Sequence, residues 1–292
     1  MSILVEWLGV DGTPWNLRTG EVRLALGASG FGLVPLTTFT QSQGVRDGQR
    51  ATGWRAEPQS LVLPLKMGYP GWSARQFYAL QSAWWKSCLP HLKGSLRVTA
   101  PDGGVRTVGA RVTSDGPYTF DYDPDDIGLD DFTASFTADD PWWRGPSQSV
   151  AFGVPGNPTP FYGAAGYGPP FYISAGNSAG GQPISNPGDV EAWPVWTITG
   201  PVSQFTITHP DGGQVAGTPN LAAGERLVID TRPGAKGATR YAADGSSVNW
   251  TPQLTAWDWR AIPAGTTQTI QVALTGTGGA TAAIEPRYFR AW

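Results

Sequence analysis

One short motif contains the residue types of a serine hydrolase. Gly176-Asn177-Ser178-Ala179-Gly180 matches the pattern G-x-S-x-G, in which a strand before the serine and a helix after it expose the hydroxyl as a nucleophile. Here the flanking sequence is rich in Gly, Pro, Ser and Ala and has neither pattern. Neither His91 nor His209 has an evident orienting partner. We therefore assign no catalytic residue and predict that the chain is not an enzyme.

Closely spaced carboxylates could instead bind a hard cation. Asp121, Asp123 and Asp125 occupy alternate positions, and calcium prefers oxygen ligands of this kind. The stretch lacks the Gly at the sixth position and the Glu at the twelfth position that the helix-loop-helix calcium motif requires. A solvated acidic loop is the simpler interpretation. These three residues are therefore only a candidate metal site, and we expect no cofactor.

Two tryptophans that flank a carboxylate could bind a sugar. Trp257 and Trp259 lie on either side of Asp258, and aromatic rings beside a polar group are a common means of holding a carbohydrate. Alternate positions on a strand place both rings on one face of the sheet. That face could equally be core, since large aromatic side chains are usually buried.

Composition narrows the possible partners. The 20 Lys and Arg residues are balanced by 23 Asp and Glu residues, which gives a net charge of −3, so nucleic acid is not an expected partner. Charged residues make up only 15% of the chain, against roughly 25% in typical soluble domains. So few charges favour a surface that neighbouring subunits cover.

Cysteine usage and hydropathy indicate where the chain is made. Cys88 is the only cysteine, which suits a reducing cytoplasm. The sequence shows neither an N-terminal export signal nor a run of 18 uncharged apolar residues, so we expect synthesis in the cytoplasm without membrane insertion.

The first 145 residues predict an α+β domain. Short alternating segments separated by Asp-Gly turns are typical of strands. Between them, Ser73 and Gln76 form a capping-box pattern before apolar residues spaced for one helical face, which predicts a helix over Ser73–Leu89. The predicted strands are Ile3–Leu8, Val22–Leu26, Ser60–Leu65, Ser95–Thr99, Val105–Val112 and Asp131–Thr137.

The rest of the chain divides into a linker and a second domain. Residues 146–182 are dominated by Gly, Pro, Ser and Ala and repeat Pro-Phe-Tyr at 160–162 and 170–172, which indicates a linker or an arm lying along a neighbour. From 183 to 292, strand patterns alternate with turns and no helical period appears. This is typical of an all-β sandwich or jelly roll.

Several segments, taken in order, resemble the siphophage distal tail protein family, also called phage tail or minor tail proteins. The most specific is Asn186-Pro187-Gly188-Asp189 followed by Pro194, Ile198 and Gly200, similar to the family's N-x-G and P-x-x-x-I-x-G pattern. Residues 146–182 have no clear counterpart in the family. Ile262-Pro263-Ala264-Gly265 also resembles the family, but Thr266-Thr267 follows it in place of the usual Asn. The other matching segments are Asp11-Gly12, Gly27–Gly32, Asp47-Gly48, Leu61–Leu65, Leu96–Val98, Asp102-Gly103 and Ala138–Trp142.

The resemblance implies a structural role in the virion. Members of this family form a ring, usually of six copies, that joins the tail tube to the tail tip or baseplate. The N-terminal domain, a β-barrel-like sheet with one helix, forms the ring, and the galectin-like C-terminal sandwich projects outward. We expect the ring interface to use the strands around Leu61–Leu65 and the Gly27–Leu33 loop.

Two other functions stay open. The C-terminal sandwich could bind a saccharide of the host surface directly, through Trp257, Asp258 and Trp259. A tail-associated hydrolase is the second alternative, against which the absence of paired catalytic groups argues.

Overall fold

The structure, a computed structural model, describes residues 3–42, 44, 47–114, 123–153 and 178–292. The chain divides into two compact units. The first unit comprises Met1–Pro146 together with Arg287–Trp292, and the second comprises Ser147–Pro286. Within the described ranges, no helix combines the length and the apolar character needed to cross a membrane.

The first unit is built mainly from strands. Its elements are β1 (Leu4–Leu8), β2 (Pro14–Asn16), β3 (Val22–Leu24), β4 (Leu36–Ser42), β5 (Gln49–Ala56), β6 (Gln59–Gly68), α1 (Ala74–Ser87), β7 (Gly94–Thr99), β8 (Val105–Ser114), the short α2 (Pro124–Ile127), β9 (Leu129–Ala138), β10 (Trp143–Arg144) and, from the last residues, β22 (Arg287–Tyr288). The strand order is β2-β1-β7-β8-β9-β6-β3, and β10 links β8 to β22.

This sheet curls until its two ends nearly meet. Leu17, just after β2, accepts a hydrogen bond at its carbonyl oxygen from the N–H of Leu24 in β3, at 2.7 Å. Leu61, Leu63 and Leu65 alternate along β6, are fully buried and pack in the core that the sheet encloses. The predicted barrel-like sheet is confirmed.

The predicted helix is also confirmed, as α1. Ser73 is its N-cap residue, and the Ser73 N–H donates to the Gln76 side-chain oxygen at 3.1 Å. Phe77, Leu80 and Trp84 form the buried face, which packs into the core of the first unit.

The second unit is a β-sandwich, as predicted. Its strands are β11 (Gln148–Gly153), β12 (Ser178–Asn186), β13 (Val195–Thr199), β14 (Val202–Thr208), β15 (Gln214–Gly217), β16 (Arg226–Asp230), β17 (Gly237–Tyr241), β18 (Ser247–Asn249), β19 (Leu254–Trp257), β20 (Thr266–Gly276) and β21 (Gly279–Ile284). One sheet has the order β11-β21-β13-β16-β17-β18, and the other has the order β12-β20-β14-β15-β19. Trp196, Phe205 and Ile229 are fully buried in the shared core.

The units divide the chain differently from the predicted boundaries at 145 and 182. Gln148–Gly153, predicted as linker, and Ser178–Asn186, predicted as linker only as far as Gln182, are strands of the second unit. Phe152 in the first of them is fully buried. Arg287–Trp292, predicted in the second domain, belongs to the first unit, where Tyr288 pairs with Trp143. Both Pro-Phe-Tyr repeats lie outside the described residues.

Candidate functional site

Nearly all residues of the β4–β5 hairpin are exposed. β4 and β5 pair only with each other in the described part of the chain, and every residue of β4 is exposed. Thr37, Thr38 and Phe39 have high strand propensity, and Gly48 after Asp47 has a positive φ of +91°, which favours a hairpin here. Each strand therefore presents one unpaired row of N–H and C=O groups, a template for another strand.

Aromatic packing fixes the base of this hairpin. Trp54 in β5 packs against Trp142 and Phe289, with ring centroids 6.2 Å apart in both pairs. The Arg287 guanidinium lies 5.7 Å from the centre of the Trp142 ring. The N–H of Glu57 donates to the carbonyl oxygen of Pro35 at 2.9 Å. These contacts join the hairpin to the residue before β10 and to the C-terminal residues of the same unit.

A fixed loop beside β6 carries protruding apolar side chains. Leu26 is 98% exposed and Leu33 is 61% exposed. The N–H of Ser29 donates to the carbonyl oxygen of Val62 at 2.9 Å. Gly30 has a φ of +94°, and a Cβ there would lie 2.4 Å from the Ser60 carbonyl oxygen. The loop is therefore fastened to β6, while its leucines point into solvent.

The other half of the predicted interface, the strands around Leu61–Leu65, has its leucine side chains inside the sheet. β6 lies between β9 and β3 in the sheet, and Leu61, Leu63 and Leu65 are at most 1% exposed. Burial inside the barrel-like sheet removes these leucines from any subunit contact. The exposed hairpin, which sequence reasoning missed as a pair of strands, has the free edges that β6 lacks.

The candidate metal site lies largely outside the residues that the structure describes. Asp121 and the side chain of Asp125 are not among the described residues, and Asp123 is exposed. Among the residues that the structure describes, no three His, Cys, Asp or Glu side chains are grouped so that they could hold a metal ion.

The serine of the G-x-S-x-G match lies at the start of a strand. Ser178 is the first residue of β12, which pairs with β20; Gly176 and Asn177 lie outside the described residues. A nucleophile elbow requires a helix after the serine, and here a strand follows it.

The structure separates the two predicted sugar-binding tryptophans. Trp257 ends the edge strand β19 and is 61% exposed. Trp259 is half-buried and packs against the core of the second unit. Asp258 accepts a hydrogen bond at 2.9 Å from Arg260. Of the two rings, Trp257 is thus the more exposed.

Three residues that sequence reasoning did not assign lie beside Asp258. Arg260 also approaches Asp211, with 3.3 Å between Nε and Oδ2. His209 is 4% exposed, and its Nδ1 has no hydrogen-bond partner among the described residues. Burial lowers the pKa of His209. The signal in the sequence was the turn His209-Pro-Asp-Gly-Gly, which brings Asp211 next to the end of β19.

The chain is similar to phage tail proteins in both sequence and structure. No family profile matches the chain. In sequence it is 26% identical over 278 residues to minor tail protein Gp27 of Mycobacterium phage L5, with 78% of this chain and 79% of that protein covered. In structure it superimposes on the Dit protein of phage SPP1 with a TM-score of 0.64 and 12% identity, covering 98% of this chain and 99% of that one.

The chain has the fold of a phage distal tail protein. A chain of the phage P2 baseplate, in its activated conformation with Ca, matches with a TM-score of 0.59 and 14% identity over 98% of both chains. The resemblance to distal tail proteins is confirmed by the L5 and SPP1 matches together. The SPP1 protein is described as a paradigm of the hub adsorption apparatus in phages that infect Gram-positive hosts.

Proposed function

We propose that this protein is a structural, non-enzymatic component of a long-tailed phage, located in the tail of the virion. It acts as a distal tail protein, whose copies form a ring, of six in our proposal, between the tail tube and the tail tip or baseplate. The observation that carries this proposal is the match to Dit over 98% of the chain, together with the relation to a phage minor tail protein.

The β4–β5 hairpin supports ring formation. Its two outer edges are both unpaired among the described strands, so each copy has one edge for each of two neighbours. Strand addition would satisfy the exposed N–H and C=O groups. A head-to-tail contact of this kind closes into a ring when the rotation between copies allows it.

Leu26 and Leu33, at the two ends of the Gly27–Leu33 loop, support a second contact between copies. Leu26 is almost wholly exposed, and burying a leucine side chain contributes about 1.5–3 kcal/mol. Because the loop is fastened to β6 by hydrogen bonds, little conformational entropy is lost when a neighbour covers it. The low share of charged residues, 15%, adds little repulsion between copies.

The mass of the purified full chain in solution tests the proposal. Native mass spectrometry and negative-stain imaging should show rings of the 31.0 kDa chain. Phe39→Asp, on the hairpin, should shift the population to monomers, because a carboxylate would be buried at the contact. Leu92→Asp is the matched control, since Leu92 and Phe39 are 45% and 47% exposed in the same unit.

If the wild-type chain were a compact monomer at every concentration measured, the proposed ring would be contradicted. If Phe39→Asp and Leu92→Asp reduced assembly equally, the result would contradict a specific role of the hairpin in the interface. Turnover of cell-wall polysaccharide by the rigorously purified chain would instead revive the hydrolase alternative.

A further inference from the structure

The residues that follow the second unit lie against both proposed contact surfaces of the first unit. We call Arg287–Trp292 the brace. Within it, Phe289 packs on Trp54 of the β4–β5 hairpin, with ring centroids 6.2 Å apart. Trp292 stacks on Phe31 of the loop beside β6, at 6.0 Å and an interplanar angle of 23°. One short segment therefore contacts the hairpin and the loop together.

Backbone hydrogen bonds attach the brace to the segment that leads from the loop into the hairpin. The N–H of Val34 donates to the carbonyl oxygen of Phe289 at 3.1 Å, and the N–H of Ala291 donates to the carbonyl oxygen of Phe31 at 3.0 Å. Val34 and Ala291 are each 1% exposed. Because β4 begins at Leu36, these bonds fix the point at which the hairpin leaves the rest of the unit.

The brace is also attached to the barrel-like sheet. Tyr288 pairs with Trp143 in β10, and the guanidinium carbon of Arg106 in β8 lies 3.8 Å from the centre of the Tyr288 ring. Arg106 Nη1 donates to the carbonyl oxygen of Arg290 at 2.9 Å. The brace thus connects the barrel-like sheet to the segment from Phe31 to Val34.

The barrel-like sheet itself is complete without the brace. The strands from β2 to β3 in its order all come from residues 4–138. Among the described residues of this unit, Ala291 is the only buried core residue that follows Trp143. The brace therefore adds little to the core.

The loop and the hairpin depend on the brace much more than the core does. Phe31 is 9% exposed because its ring lies between those of Trp143 and Trp292, at 6.1 Å and 6.0 Å. Nearly all residues of the hairpin are exposed, so contacts at its base hold it in place. Segments with few buried contacts open locally while the rest of a domain stays folded.

We infer that the brace is an assembly checkpoint: the hairpin and the loop reach their ring-forming positions only after Arg287–Trp292 has docked. This inference rests on the proposed ring. The ribosome makes the whole second unit between β10 and the brace, which takes on the order of ten seconds at about 5–20 residues per second. A chain therefore becomes able to join a ring only after its sandwich has been synthesised, and incomplete chains are kept out of the ring.

A chain that ends at Pro286 tests the inference. Hydrogen exchange with mass spectrometry should show the amides of β4, β5 and residues 31–34 exchanging roughly tenfold faster than in the full chain. The amides of β7 in the barrel-like sheet and of β13 in the sandwich should exchange as in the full chain. Native mass spectrometry should show monomers under conditions in which the full chain forms rings.

Two matched substitutions test the same inference in a chain of full length. Ala291→Gln places a longer polar side chain at a position that is 1% exposed, so the brace should not dock. Arg290→Gln places the same side chain at the neighbouring exposed position. Ala291→Gln should reproduce the faster exchange and the loss of rings, and Arg290→Gln should behave as the wild type does.

Several results would contradict the checkpoint. Unchanged exchange in β4 and β5 of the chain that ends at Pro286 would show that the brace does not hold the hairpin, whether or not the wild type forms rings. Rings formed equally well by that chain and by the wild type would show that assembly does not wait for the brace. Equally accelerated exchange in β7 would mean that the whole unit, and not its contact surfaces, depends on the brace.

Failure of the ring can be told apart from failure of the brace. A wild type that never forms rings would overturn the proposed ring and the checkpoint with it. Faster exchange in β4 and β5 without the brace would, even then, show that the brace positions the hairpin.

Discussion

At the scale of single residues, Asn186 explains why one motif is so specific. Its side-chain amide donates to the carbonyl oxygens of Val190 at 2.8 Å and Ile262 at 2.9 Å, and its Oδ1 accepts from the N–H of Gly188 at 3.0 Å. The residue is fully buried. One side chain therefore satisfies backbone groups from two segments that are far apart in sequence, which neither Asp nor Ser could do with the same geometry.

Asn186→Ala should destabilise the second unit by about 3 kcal/mol, because it leaves several buried backbone groups unpaired at about 1–3 kcal/mol each. Urea unfolding followed by fluorescence measures the change in the free energy of unfolding. Asn249→Ala is the control: Asn249 is exposed and caps only the N–H of Thr251, so about 1 kcal/mol or less is expected. Equal losses in both variants would contradict this account.

Cys88 illustrates a residue whose chemistry is suppressed by its surroundings. It is 2% exposed next to α1, and burial raises the pKa of its thiol to about 12. The nucleophilic thiolate is therefore almost absent at neutral pH. Iodoacetamide at pH 8 should leave the native chain unlabelled over an hour and label it fully in 8 M urea, as intact-mass measurement would show at roughly one adduct per chain. Rapid labelling of the native chain would mean that Cys88 is accessible.

At the scale of elements, sequence patterns were sufficient to predict a strand or helix where one of its faces is buried. α1 was predicted because its apolar residues have a helical period, and β6 because Leu61, Leu63 and Leu65 alternate. β4 and β5 gave no such signal, since neither strand has a buried face. Likewise, the ion pair between Asp211 and Arg260 joins a turn to a segment about 50 residues later, a proximity that only the sheet pairing creates.

The hairpin should depend on its aromatic base for its orientation. Trp54→Ala removes the ring that packs on Trp142 and Phe289, so the amides of β4 and β5 should exchange hydrogen at least tenfold faster and ring assembly should weaken. Hydrogen exchange with mass spectrometry detects the first effect, and native mass spectrometry detects the second.

Trp292→Ala is the control for that experiment. Trp292 is 50% exposed, against 51% for Trp54, and stacks on Phe31 in the same unit. Its loss should leave exchange in the hairpin unchanged. If exchange in β4 and β5 is the same in both variants and the wild type, the aromatic base does not hold the hairpin.

At the scale of the whole molecule, the second unit is an insertion into the first. The chain leaves the first unit after β10 and returns to it at β22, and these two strands pair with each other, Arg144 opposite Arg287. Opposed residues of an antiparallel pair are about 4.5–5.5 Å apart. A short loop can therefore replace the whole second unit without stretching the first.

Replacing Ser147–Pro286 with a linker of about four Gly and Ser residues should leave a folded first unit, because such loops span hairpin ends easily. That unit keeps α1, the barrel-like sheet, the C-terminal residues that pack against the hairpin, and the hairpin itself. If the ring is formed by this unit, the shortened chain should still assemble, and Phe39→Asp should still prevent it. Circular dichroism and native mass spectrometry measure folding and assembly. A shortened chain that folds but stays monomeric, under conditions in which the full chain forms rings, would mean that the sandwich supplies part of the ring contact.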